Sequence, residues 1–70
     1  MKYLVVIEET KTGFSAYSPD MDGCVATGTT KEEVEKNMKE AMDFHLEGLR
    51  LESQEMPKPH SYSSYVEIIA

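Results

Sequence analysis

Seventy residues carrying thirteen acidic against seven basic side chains, a net charge of −6, make one small acidic domain. That balance argues against a phosphate-backbone ligand, which needs clustered Lys and Arg, and suits a basic protein partner or plain solubility. A single cysteine, Cys24, excludes a disulfide framework and fits a reducing compartment, and the apolar run in the opening MKYLVVIEET is too short for a signal-peptide core or a bilayer span, so a cytoplasmic protein is expected.

The segment Lys2 to Glu8, KYLVVIE, is aromatic and β-branched and predicts a first strand buried on both faces near its middle. Tyr3, Val5 and Ile7 share one face, and Leu4 and Val6 the other. EETKTG, ending in Gly13, is a hairpin signal of the longer-loop kind. Phe14 to Ser18 follows as a second strand, antiparallel to the first, and Pro19 ends it because proline donates nothing to a ladder. Asp20, Met21, Asp22 and Gly23 form a turn, with the aspartates placed to accept backbone N–H bonds. Cys24 to Thr27 is a short third strand, and Gly28 turns the chain into a helix.

Thr30 and Glu33 have the spacing of a capping box, and Glu32 and Glu33 sit well against the positive end of the helix dipole. From Lys31, Val34, Met38, Ala41, Met42, His45, Leu46 and Leu49 recur at spacings of three and four, a single apolar face. Gly48 and the loss of pattern after Leu51 place the helix end near residues 47 to 51. The polar face offers Glu32–Lys36 and Glu35–Lys39 as pairs in the favourable order. Glu52 to Ser64, with two prolines and four serines, reads as an extended surface connection, and Tyr65 to Ile69, YVEII, as a fourth strand. The expected fold class is α+β: an antiparallel β-sheet with one helix on one face, in the order β-β-β-α-β.

No pattern specifies catalysis or a cofactor. Glu8, Glu9, Asp20 and Asp22 are the carboxylates a hard divalent cation would use, but no glutamate closes a calcium loop at the right distance. His45 and His60 share no ligand spacing, and Cys24 has neither a nearby base nor an electropositive setting. Met38 and Met42 fit a core at helical spacing, and with Met21 and Met56 they also offer a soft partner surface. Tyr62 and Tyr65, beside the last strand, are the better contact candidates, since tyrosine brings area and a hydrogen bond to an interface. No glycine run resembles a phosphate loop.

The early strand YLVVIE, then Gly13 and Phe14, Pro19 and Asp20, Gly23 with Cys24, Gly28, Thr30, Glu33, the segment KEAMDFHLEGL and the loop MPKP together resemble the HicB-type antitoxin family. That resemblance implies a partial ribonuclease H fold, and a non-enzymatic role as an antitoxin. Its members bind and neutralise a HicA-type toxin, a small basic ribonuclease that cleaves messenger RNA. It also implies a homo-oligomer, a dimer or tetramer; the residues themselves lead to the expectation of no cofactor and no metal. Many such antitoxins carry a C-terminal DNA-binding domain. Here residues 1–70 are expected to form a single HicB-like domain without one, so direct nucleic-acid binding is not expected. The expected partner-binding residues are Asp20, Asp22, Glu32 and Glu33, with Tyr62 and Tyr65 beside the last strand. Two rival readings are a metal-dependent nuclease remnant built on Glu8, Asp20 and Asp22, and an orphan oligomeric domain that binds a small ligand.

Overall fold

A computed structural model describes residues 1–70 and shows three strands followed by one helix: β1 (Val6–Thr10), β2 (Gly13–Tyr17), β3 (Val25–Gly28) and α1 (Lys31–Leu51). The strands form one antiparallel sheet in the order β1-β2-β3. Its register sets Ile7 opposite Ala16 and Ala16 opposite Ala26. Strand alternation then places Val5, Ile7, Phe14, Ala16 and Ala26 on the helix face, and all five pack in the core. The predicted α+β class, with one helix against one face of an antiparallel sheet, is the observed one.

The strand limits differ from those expected, and ladder pairing explains why. β1 pairs only from Val6, opposite Tyr17, because Pro19 stops β2 two residues later. Tyr3 and Val5 still pack on the core although they lie ahead of the ladder. At the other end the pairing continues to Thr10 opposite Gly13, so Lys11 and Thr12 alone connect the strands, a tighter hairpin than EETKTG suggests. Burial on both faces of β1 is not found. Leu4 and Val6 are only half-buried, and the row they share with Tyr17 and Val25 faces away from the helix with Val25 67% exposed.

The helix starts where its capping residues say it should. Thr30 is the N-cap, and its Oγ1 accepts from the Glu33 backbone N–H at 3.0 Å. The reciprocal bond lands one residue early, since Glu33 Oε1 accepts from the N–H of Thr29 at 2.9 Å. Gly28 lets the first turn lie directly on β3: a Cβ there would come within 2.6 Å of the Val34 backbone nitrogen. Val34 and Met38 are consequently sealed against the sheet, a burial that contributes about 1.5–3 kcal/mol for each side chain. Asn37 adds a tie, donating to the Thr27 carbonyl at 2.8 Å.

Burial fades along the second half of α1, where Met42, Leu46 and Leu49 are half-exposed. The helix runs through Gly48 to Leu51 and ends in a Schellman motif. Gln54 donates to the Leu49 carbonyl at 2.8 Å and Ser53 to the Arg50 carbonyl at 3.1 Å, with Ser53 left-handed at φ 56°. The expected Glu35–Lys39 and Glu32–Lys36 pairs are replaced by Lys39–Asp43, at 2.7 Å, and Arg50–Glu47.

The expected fourth strand is not paired within the chain. No backbone–backbone hydrogen bond engages any residue beyond Gln54, and Tyr65, Val66, Ile68 and Ile69 are 77–101% exposed. A β-type composition makes a strand only where ladder pairing is completed, and this segment passes beside Val5 and Ile7 without joining β1. The molecule is accordingly 50 Å long, against about 32 Å for a 21-residue helix. Its radius of gyration of 13.9 Å exceeds the roughly 11 Å of a compact chain of this size.

Candidate functional site

Asp20 follows the proline that ends β2, and the turn swings its side chain under the C-terminal segment. Its Oδ2 accepts the backbone N–H groups of His60 and Ser61 at 3.0 and 2.9 Å. Its Oδ1 accepts the Ser61 hydroxyl at 2.7 Å and lies 3.1 Å from His60 Nε2. Solvent does not reach the carboxylate. The Ser61 hydroxyl and amide, then the His60 amide and ring, hold its pKa below the ordinary value against the opposing effect of burial. A carboxylate wrapped in this way is a latch that ties residues 60–61 to the body, forty positions along the chain. Tyr3 closes the same connection, donating from its hydroxyl to the Pro57 carbonyl at 2.6 Å. Ser18 donates to the Leu4 carbonyl at 2.8 Å and ties the start of the chain to the end of β2.

The six expected contact residues do not form one surface. Asp20 is committed to the latch and Glu33 to the cap. Asp22 and Glu32 are exposed but lie near different halves of α1. Asp22 sits in a shallow depression with His45 and Leu49 of the second half of α1, whereas Glu32 is in the first turn, about 20 Å away along the helix rise. Tyr62 and Tyr65 are on the unpaired arm, 89% and 101% exposed.

The carboxylates of the nuclease reading do not converge either. Glu8 lies on the face of β1 away from the helix, Asp20 is enclosed and Asp22 points outward, and no three His, Cys, Asp or Glu side chains come together as ligands would. Cys24 is buried in the core, and that burial pushes its thiol up, the opposite of a nucleophile's setting. Met21 and Met38 are core residues.

One feature escapes the sequence pattern altogether. The helix lies over β2 and β3 and scarcely touches β1, so a groove of about 570 Å³ runs between them, with Tyr3, Val5, Ile7, Met38, Met42 and Leu46 in its lining. The 3.6-residue period marks those helix residues as inward. It does not say that the sheet beneath them is one strand too narrow.

Comparison with known proteins places this architecture. Residues 3–68 match the family model described as the HicB-like antitoxin of bacterial toxin–antitoxin systems. A 14.9 kDa protein of unassigned role from the rep–hol intergenic region of Haemophilus phage HP1 is 36% identical over 94% of this chain, which spans only 50% of the phage protein. The UPF0150 protein of Thermoplasma acidophilum is 32% identical, covering 87% of this chain and 90% of its own length. That of Synechocystis is 39% identical over 80% of this chain and 72% of its own. Among solved structures, a chain of the HicA3–HicB3 toxin–antitoxin complex superposes with a TM-score of 0.72 at 38% identity, covering 86% of this chain and 70% of that one. With the three antiparallel strands, the capped helix and a family match over almost every residue in agreement, the chain belongs to the HicB-like antitoxin family of bacterial toxin–antitoxin systems.

Proposed function

We propose that this chain is an antitoxin that binds and neutralises a small basic mRNA-cleaving toxin of the HicA type in the cytoplasm, with no catalytic activity of its own. The observation that supports this most directly is its 38% identity and TM-score of 0.72 to a chain of a HicA3–HicB3 complex. The physical chemistry is compatible: a domain of charge −6 meets a basic RNA-binding surface with complementary potential and excludes RNA by charge and bulk. Asp22 and Glu32 are the exposed carboxylates of the expected set and are assigned to that contact. No helix is long and apolar enough to cross a membrane.

The test is co-expression with a HicA-type toxin, the first choice being any small basic protein encoded beside this chain. Growth arrest by that protein should be relieved, and the two should co-purify. Asp22→Lys and Glu32→Lys should each weaken the complex by about 0.5–1 kcal/mol, mostly through slower association, as expected for exposed charges. Absence of a complex overturns the reading, and metal-dependent RNA cleavage by the purified chain replaces it with the nuclease one.

A further inference from the structure

We propose that residues 62–69 are a strand donated to a second copy of this chain. Val66 and Ile68 of one protomer enter the groove between α1 and β1 of the other, and the arm's backbone pairs with the free edge of β1. Three observations converge on this. First, the arm has strand chemistry but no intramolecular partner: its apolar side chains stand in water and its backbone makes no hydrogen bond within the chain. Such a segment is a ready template for pairing with another chain. Second, β1 is an edge strand whose outer side has no neighbour, and the apolar groove beside it is what a missing fourth strand would leave. Third, the arm is tethered beside its own β1 yet does not pair with it. Tyr3 holds Pro57, and Asp20 holds His60 and Ser61. Beyond them the arm passes the side of its own domain near Val5 and Ile7 with Tyr65 uncovered.

Charge selects which face of the arm goes in. Alternation puts Val66 and Ile68 on one side and Tyr65, Glu67 and Ile69 on the other. Glu35 and Asp43 line the groove with Lys39, which is already paired with Asp43 at 2.7 Å, so the second face would set Glu67 beside Glu35 with no free cation there. Entry by Val66 and Ile68 avoids that and leaves Glu67 on the side of the open sheet face. Because each copy carries both an arm and a groove, two reciprocal insertions close a two-fold dimer and leave no free arm.

The proposal stands independently of toxin binding, which its test does not involve. The full chain, studied by size-exclusion chromatography with light scattering, should have twice the 7.9 kDa protomer mass. The double variant Val66→Glu/Ile68→Glu should run as a monomer that keeps the helical far-UV circular dichroism signal of α1, since neither side chain is buried in its own protomer. In a dimer mixed from isotope-labelled and unlabelled chains, Ile68 methyls should show contacts to Met42 methyls across protomers. A wild-type monomer, whether the arm is free or docked in its own groove, overturns the proposal. So does a dimer that persists in the double variant, or Ile68–Met42 contacts confined to one protomer.

Discussion

Asp20 shows how a carboxylate that looks like a site in the sequence becomes a structural part once its partners are known. Four polar contacts from His60 and Ser61 converge on it. They favour the ionised form, so its folded pKa lies below the ordinary 3.8. The sign follows: a group whose pKa falls on folding contributes stability that is present above its unfolded pKa and lost as pH drops through the folded one. The latch is therefore closed at neutral pH and opens in acid, below about pH 4. Hydrogen exchange checks this directly. The His60 and Ser61 amides should be protected at neutral pH, and Asp20→Ala should bring them to the rate of a free segment while amides of the β1–β2 ladder stay protected. Unchanged protection at both positions would show that something other than Asp20 holds the connection. None of this was available from Asp20 and its neighbours in sequence, because the groups that define it lie forty residues away.

Elements whose ends are set by local chemistry were legible, and those whose ends depend on a partner were not. Thr30, Glu33 and the spacing of Val34, Met38 and Met42 specify α1 through near-neighbour geometry, and the helix forms where they indicate. Gly48 misleads as a stop because a glycine inside a helix costs only about 1 kcal/mol, which the flanking turns tolerate. Ser53 supplies the left-handed residue instead. β1 is displaced by a few residues and β2 by one from their predicted limits because a strand ends where its neighbour ends. YVEII has the composition of a strand, but it stays unpaired although the free edge of β1 lies in its own chain. The junction of β3 and α1 tests the packing account. In Gly28→Ala the new methyl would meet the Val34 backbone at 2.6 to 2.9 Å, and backbone cannot rotate aside as a flexible side chain can. The helix start must shift, at a cost of about 1–3 kcal/mol. Chemical denaturation should show a lowered midpoint with little change in slope, and a variant as stable as the parent would mean that α1 has more freedom over β3 than this contact implies.

At the scale of the whole molecule the protomer is short of core. Seven of its seventy residues are buried, and the sheet face opposite the helix is open. The groove beside β1 and the bare arm are the two halves of the missing packing. A chain this size buries only about 60% of the surface exposed on unfolding even when it is compact, and this one is elongated. Stability must then rise with association, because whatever binds the folded form and not the unfolded one shifts the equilibrium by mass action. If two copies complete one another through their arms, the melting temperature should climb with protein concentration, and the Val66→Glu/Ile68→Glu variant should melt lower and independently of concentration. Differential scanning calorimetry across a dilution series separates this from closure within one chain, which would give a single melting temperature at every concentration. The dependence also bears on the proposed toxin capture: if the arms exchange, the dimer presents two acidic surfaces in fixed relation. Its partner then meets a bivalent surface, whose avidity depends on whether the spacing allows both sites to be filled.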